Sequence, residues 1–161
     1  MLLGMDLVAL EEIRRLKYRY ARALDLKRWD EFADVFTVDA VAEYGTRALS
    51  EPLTLTGRAA IVSFMRKALG NGIITVHMMT QPEIEIDGET ATGTWCFEDT
   101  VIAHEQRVMI KGSAYYDDVY RREDGIWRIA RTGYVRTWEA SVSFDDMPSF
   151  NLLANRWATA G

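Results

Sequence analysis

The chain has 161 residues, enough to bury a core, and its 48% hydrophobic content argues against a disordered protein. The net charge of −5, with no clustered basic stripe, argues against nucleic acid or an anionic membrane as the main partner. The only cysteine, Cys96, excludes an intrachain disulfide, and no apolar run is long enough to cross a bilayer. We therefore expect a single cytoplasmic domain over residues 1–161, with no membrane or nucleic-acid partner.

The first half of the chain is mainly helical. The predicted elements are, in order, a helix from Asp6 to about Leu24, a short helix at about 28–36, a strand at 38–45, a short strand at 53–55 and a helix at about 58–69. In the first helix, Tyr20 shares the apolar face with Ile13 and Leu16, whereas Lys17 is assigned to the polar remainder. Asp25 follows directly after this helix.

The second half reads as long strands joined by tight turns. Two extended runs flank Asp87-Gly88, and two further strands, at about 107–122 and 126–138, flank a turn that ends at Gly125. Helices followed by antiparallel strands are typical of an α+β domain. The helices are the available cover for the apolar face of the sheet, so we expect a curved sheet with one pocket between sheet and helices.

The register of the first hairpin decides which side chains meet. A strict two-residue turn at Asp87-Gly88 pairs His77 with Glu98 and turns Asp99 to the other face. A three-residue loop or one β-bulge pairs His77 with Asp99 instead. We predict the second arrangement, which places a histidine beside a carboxylate.

His77 is the leading candidate for proton transfer, because imidazole exchanges a proton near neutral pH. Either Asp25 or Asp99 can orient it; a packed core histidine is the competing interpretation. Arg136 shares a strand face with Tyr134 and Trp138, and a buried arginine there needs a carboxylate such as Asp99.

Aromatic side chains complete the candidate site. Tyr20 and Tyr44 can donate hydrogen bonds to a substrate oxygen, and Trp95 and Phe97 share a strand face with Asp99. We predict substrate-binding roles for Tyr44, Trp95, Phe97 and Tyr134. His77 and His104 are far apart in the sequence and lie in no metal-binding motif, so we expect no metal; we also find no nucleotide-binding or serine-hydrolase motif.

Three segments resemble the SnoaL-like branch of the NTF2-like superfamily. They are YRYARALDLKRWDEF, the hairpin HMMTQPEIEIDGETATGTWCFED, and GSAYYDDVYRREDGIWRIARTGYVR. The likeness spans about residues 8–140 and is strongest to bile-acid dehydratases, with scytalone dehydratase and dehydrochlorinases more distant. It implies a cone: three helices packed in a strongly curved, mostly antiparallel sheet around one deep pocket.

The resemblance also assigns roles to individual residues. It implies that His77 is the base and Asp25 its orienting partner, that Tyr20 or Tyr44 stabilises an enolate oxygen, and that Asp99 with Arg136 holds the leaving hydroxyl. One departure is a hairpin loop after Asp87 that is one residue shorter than is usual in the family.

The function implied is a cofactor-independent dehydratase acting on a hydrophobic steroid-like or polyketide-like carbonyl compound. The alternatives are an isomerase like ketosteroid isomerase, a polyketide-cyclase-like enzyme in the same pocket, and a non-catalytic module that binds a small ligand or another protein. The resemblance favours a trimer over a dimer. The apolar residues of the tail, 141–161, are expected to cover the pocket mouth or to contact a neighbouring subunit.

Overall fold

The computed structural model describes residues 6–46 and 52–158. In these ranges the elements are α1 (Leu7–Asp25), α2 (Trp29–Asp34), β1 (Phe36–Gly45), β2 (Leu53–Thr56), α3 (Arg58–Leu69), β3 (Ile74–Asp87), β4 (Thr90–Ala103), β5 (Val108–Glu123) and β6 (Ile126–Ser143), followed by a 3-10 helix, Phe144–Asp146. The strands form one sheet in the order β2-β1-β6-β5-β4-β3, antiparallel except between β1 and β6. None of the described helices is long and apolar enough to cross a membrane.

Helix α1 begins as predicted, because the Asp6 carboxylate accepts a hydrogen bond from the Ala9 amide at 2.9 Å. Its buried face contains Ile13, Leu16 and Tyr20 and packs mainly on β3. The assignment of Lys17 to the polar face was wrong: this lysine is buried one helical turn from Tyr20 and Ile13.

Helix α2 is shorter than predicted and ends at Asp34. Phe36 starts β1 instead of closing the helix, because it pairs with Ile129 of β6 and packs on Phe32 at a ring distance of 5.1 Å. A tertiary strand pairing thus overrides the local helical pattern. Helix α3 has the predicted bounds, with Gly70 as its C-cap.

The β3–β4 hairpin confirms the predicted pairing of His77 with Asp99. The two loop residues are Gly88 and Glu89, not Asp87 and Gly88. A β-bulge between Thr80 and Glu83 then shifts the register by one residue. Because a bulge also reverses the parity of side-chain direction, His77 and Ile84 can both face inward although one number is odd and the other even.

A second bulge, in β6, changes which residues share the face of Arg136. The register shifts by one residue between Ala114↔Arg136 and Ser113↔Trp138, so Thr137 has no partner of its own. Trp138 is therefore half exposed, and Glu139 is the residue that turns inward with Arg136. The prediction that Trp138 shares the face of Arg136 was wrong for this reason.

The curved sheet and the three helices enclose one core, which confirms the predicted α+β cone. Large side chains fill the closed end between α1, α2 and the strands: Phe32, Phe36, Trp95, Tyr120 and Trp127. Packing is looser towards α3 and the β4–β5 turn, and there the cone opens into a cavity.

Candidate active site

A cavity of about 330 Å³ lies between α1, α3 and the inner face of the sheet, near the lower limit for ligand pockets. Apolar side chains of α3 and of β4 and β5 form one side, including Phe64, Met65, Val101 and Ile110. The polar side chains on its wall include those of His77, Asp99, Arg136, Glu139 and four tyrosines, Tyr20, Tyr44, Tyr116 and Tyr134.

His77 is held from behind by Asp25. The imidazole Nδ1 lies 2.7 Å from Asp25 Oδ1, and the backbone amide of His77 donates to Oδ2 at 2.8 Å. A carboxylate accepts hydrogen bonds, so this contact favours the tautomer with the proton on Nδ1. The other ring nitrogen, Nε2, is then able to accept a proton from a molecule in the cavity.

Asp99 and Arg136 form a buried bidentate ion pair, with Nη1–Oδ1 and Nη2–Oδ2 distances of 2.6 and 2.8 Å. The third guanidinium nitrogen, Nε, lies 3.0 Å from Glu139, which also accepts a hydrogen bond from Thr46. Burial lowers the pKa of Arg136, but the hydrogen bonds to Asp99 and the charge interactions with Asp99, Tyr134 and Glu139 together outweigh this and leave the pKa above the ordinary value. Arg136 is therefore permanently charged and shared between two carboxylates.

The tyrosine hydroxyls form a connected cluster. Tyr20 Oη lies 3.2 Å from Tyr44 Oη and 3.3 Å from Tyr116 Oη. Burial raises the pKa of all three phenols well above the ordinary value, and it raises the pKa of Tyr134 to about 12. The four phenols therefore stay protonated and can donate hydrogen bonds to a substrate oxygen.

The positive and negative charges on the cavity wall do not cancel. With neutral imidazole, Asp99 and Glu139 contribute two negative charges and Arg136 one positive charge. The cation already faces two carboxylates, Asp99 and Glu139, which an anionic ligand would also meet. Such a wall favours an uncharged ligand over an anionic one.

The model of the SnoaL-like domain family matches residues 5–133. The chain belongs to this family of the NTF2-like superfamily. Uncharacterized proteins of Mycobacterium tuberculosis and Mycobacterium bovis are 37% identical to it over 123 residues, which cover 74% of this chain and 80% of theirs.

Solved structures share the fold. A hexachlorocyclohexane dehydrochlorinase of type 2 superposes with a TM-score of 0.73 at 18% identity, covering 85% of this chain and 90% of its own. A proposed scytalone dehydratase from Novosphingobium aromaticivorans has a TM-score of 0.73 at 19% identity, covering 93% of both chains. At these identities the likeness shows the fold alone.

Five of the six residues predicted to share the pocket of this SnoaL-like protein lie on its wall: Tyr20, Tyr44, His77, Asp99 and Arg136. Asp25 lies behind His77, outside the lining, where it can orient the imidazole. Tyr134 also lines the cavity, whereas His104 is exposed.

Trp95 and Phe97 do not line the cavity, so the prediction that they contact substrate is not supported. Trp95 is fully buried, and its indole N–H donates to Tyr120 Oη at 2.8 Å. Phe97 lies beneath the wall, with ring distances of 6.4 Å to His77 and 5.0 Å to Tyr134. Arg136 stacks above Phe97 at 5.3 Å, so Phe97 supports both polar groups from below.

Four residues in or near the cavity wall were missed in the sequence: Glu139, Tyr116, the buried Lys17 and its partner Asp118. Lys17 Nζ lies 2.7 Å from Asp118 and 3.5 Å from the ring centre of Tyr116. Tyr116, Asp118 and Tyr120 alternate along β5, which is a signal that the acid faces inward. Desolvation lowers the pKa of Lys17, although Asp118 opposes this.

A larger, shallower groove of about 910 Å³ lies beside the cavity and shares Tyr44, Thr46 and Tyr134 with it. Several acids border it, including Glu83, Glu85 and Asp117, but neither His77 nor Arg136 does. We place the candidate site in the smaller cavity, because that cavity holds the groups capable of proton transfer. In the described ranges, no three His, Cys, Asp or Glu side chains are grouped as metal ligands.

The described part of the tail, residues 141–158, runs along the rim, and none of its residues lines the cavity. Phe150 stacks on Phe144 at 4.7 Å, and Phe144 lies 6.1 Å from His104 in the β4–β5 turn. Asn155 donates to the Gly72 carbonyl at 2.8 Å, next to Ile73 on the cavity wall. Leu153 points into solvent. The predicted covering role of the tail stays a prediction.

Proposed function

We propose that this protein is a cofactor-independent dehydratase that removes water from an uncharged, hydrophobic β-hydroxy carbonyl compound. The observation that carries the proposal is His77 on the cavity wall, with Nδ1 bound to Asp25 and Nε2 left for a ligand. The substrate classes that we propose are steroid-like and polyketide-like ketones, and the small cavity favours the compact members of these classes.

In the proposed reaction, His77 Nε2 removes the proton next to the carbonyl group. The electron pair of that C–H bond moves into the carbonyl, and the oxygen gains negative charge. Tyr20 and Tyr44 are protonated donors that can stabilise this enolate oxygen. The carbonyl acts as the electron sink, so the step requires no cofactor.

When the enolate collapses, its electron pair forms the new double bond and the β-hydroxyl leaves. The imidazolium of His77 carries the proton that converts this hydroxyl to water, which returns His77 to its starting state. Asp99 and Arg136, fixed to each other, are placed to hold the hydroxyl by a hydrogen bond to Asp99. Over the two steps, the proton removed from carbon leaves in the water molecule, the electron pair of the C–H bond becomes the new double bond, and the electron pair of the C–O bond leaves with the hydroxyl.

The charge of the wall supports the choice of an uncharged substrate. Arg136 is engaged by Asp99 and Glu139, and a further anion would meet two carboxylates. We therefore expect a ketone to bind more tightly than the same skeleton with a carboxylate, measured by calorimetry on the wild type. The dehydrochlorinase that shares the fold is named for an elimination, which is consistent with this reaction class.

An isomerase or cyclase would use the same proton abstraction without losing water, and a binding module would abstract no proton. Incubation with a panel of β-hydroxy ketones and β,γ-unsaturated ketones separates these functions. A dehydratase produces a conjugated ketone lighter by one water, whereas an isomerase produces a conjugated ketone of unchanged mass. If no member of the panel that binds is converted, and none exchanges its α-proton with solvent, the protein is a binding module.

A further inference from the structure

Lys27 has an unusual backbone conformation at the end of α1. It is the second residue after the helix and has φ +57, a left-handed conformation that favours glycine or asparagine at helix ends. The amides of Lys27 and Arg28 close the turn on the carbonyls of Leu24 and Ala23. Since glycine would fit this backbone without strain, the presence of lysine directs attention to what its side chain contacts.

The Lys27 ammonium leads to the candidate base through one hydroxyl. Nζ lies 3.1 Å from Thr75 Oγ1, and Thr75 Oγ1 lies 2.8 Å from Asp25 Oδ1. An ammonium can only donate a hydrogen bond, so the hydroxyl of Thr75 accepts from Lys27 and donates to Asp25. Thr75 is buried on β3, two residues before His77 and on the same face.

These contacts give Asp25 three donors: Thr75 Oγ1 and His77 Nδ1 on Oδ1, and the His77 amide on Oδ2. Asp25 alone would increase the proton affinity of an adjacent imidazole, because a carboxylate stabilises imidazolium. A base that is already protonated cannot accept a proton from substrate. The site therefore needs an opposing influence on Asp25.

We propose that Lys27 and Thr75 are positioning residues that fix the Asp25 carboxylate and limit the proton affinity of the Asp25–His77 pair. The Lys27 cation offsets the charge of Asp25, and the Thr75 hydroxyl withdraws electron density from the oxygen that binds His77. His77 thereby remains unprotonated, and available as a base, at a lower pH than Asp25 alone would permit. The use of this base in catalysis rests on the proposed function; the electrostatic link does not.

Lys27 is the cation next to Asp25 in the Asp25–His77 pair, on the side away from the cavity. Among the described residues, the other charged groups on the cavity side of His77 are Asp99, its cross-strand partner, Arg136, which is bound to Asp99, and Glu139, which is bound to Arg136. Arg28, next to Lys27, is paired with Glu31. Desolvation lowers the pKa of Lys27 to about 8 although Asp25 opposes this, so Lys27 is mainly charged at neutral pH.

The test is an NMR titration of the imidazole nitrogens, which requires no substrate. The chain has two histidines, and His104→Gln assigns their signals. In Lys27→Met and Lys27→Gly, the midpoint of His77 protonation should move up by about 0.5–1 pH unit, as expected for the loss of one nearby charge. Lys27→Arg should retain the wild-type midpoint, and Lys111→Met, on an exposed position of β5, is the matched control.

Thr75 is tested by Thr75→Val, which should move the midpoint in the same direction, and by Thr75→Ser, which keeps the hydroxyl and should not. Glycine fits the left-handed backbone at position 27 without strain, so we expect Lys27→Gly to fold. The proposal can therefore be tested even if Thr75→Val does not fold. The proposal is overturned if Lys27→Met and Lys27→Gly titrate like the wild type, or if Lys27→Arg shifts as far as Lys27→Met. A protein that shows the shifts but converts no ketone would overturn the proposed function alone.

Discussion

At the scale of single residues, the candidate base depends on contacts from distant parts of the chain. Asp25 is separated from His77 by 52 positions, and Arg136 is separated from Asp99 by 37. His77, Asp99, Arg136 and Glu139 each have at least one charged or hydroxyl partner that restricts their direction. Such mutual restriction is what a site needs if the reacting groups are to be held in place before substrate arrives.

Gly112 shows how closely these groups are packed. It lies opposite Asp99, and a Cβ atom there would be 2.9 Å from Arg136 Nη1 and 2.8 Å from the Trp138 carbonyl. The backbone contact cannot be relieved by a side-chain rotation. We expect Gly112→Ala to lower the free energy of unfolding by about 1–3 kcal/mol, measured by urea denaturation. Lys111→Ala, exposed on the same strand, should change it by less than about 0.5 kcal/mol; equal effects would show that Gly112 is not a packing requirement.

Lys27 also makes a prediction about stability and pH. Its pKa falls from 10.5 to about 8 on folding, so between these values the unfolded chain binds more protons than the folded one. Stability should therefore rise with pH across this window, because desolvation no longer penalises a neutral lysine. Denaturation of wild type and Lys27→Met at several pH values tests this. A wild-type profile with the same slope as that of the variant would contradict the lowered pKa.

At the scale of elements, two β-bulges explain what the sequence could and could not predict. Periodicity located the helices and the long strands, and the choice of a shifted register joined His77 to Asp99 correctly. No feature of the sequence predicts the bulge at Thr137, so Trp138 was placed inward and Glu139 was overlooked. Parity arguments hold only between bulges, and a bulge is fixed by tertiary pairing rather than by local residue preference.

Helix α1 contains a different kind of exception. Lys17 lies on its apolar face, where a charge-based assignment fails because the partner, Asp118, comes from β5. Both side chains are fully buried, and Asp118 also accepts hydrogen bonds from Tyr120 and Thr132 at 2.7 Å. Nothing local to α1 predicts this partner.

Removing one member of this pair should be costly. Lys17→Met leaves a buried carboxylate without its cation, and we expect a loss of about 3–5 kcal/mol in the free energy of unfolding. The double variant Lys17→Met with Asp118→Asn should recover part of that loss. Arg15→Met, which breaks an exposed pair with Glu11 on the same helix, should cost less than about 1 kcal/mol. Similar losses for Lys17→Met and Arg15→Met would contradict the importance assigned to the buried pair.

At the scale of the whole molecule, the inner face of the sheet holds the cavity and the outer face is unusually apolar. Tyr115 and Val135 are cross-strand neighbours. In the adjacent row of paired residues across the sheet, Trp138 pairs with Ser113, Ser113 with Glu98, and Glu98 with Met78. Val135 is 80% exposed and Met78 59%. Exposed apolar side chains in neighbouring rows are typical of a subunit interface, and we expect this face to form the interface of any oligomer, including the trimer that the family resemblance predicts.

The proposed interface can be disrupted with one charge. Val135→Glu should convert the oligomer to a monomer in sedimentation velocity, because it would bury an unpaired carboxylate in the interface. Val8→Glu, at an exposed position of α1, is the matched control and should leave the oligomer intact. A wild type that sediments as a monomer, or a Val135→Glu variant of unchanged size, would contradict an interface on this face.

The most direct measurement of the central claim is the exchange of the substrate's α-proton with deuterium from solvent, followed by NMR on a ketone that the panel shows to be converted. If His77 removes this proton and Asp25 orients it, His77→Ala should slow exchange by about 10²–10⁴-fold. Adding Asp25→Asn should slow it little further, because the two residues act as one unit. Exchange at a near-wild-type rate in His77→Ala, with ligand affinity retained, would contradict the assignment and make Asp99 the leading candidate for the base.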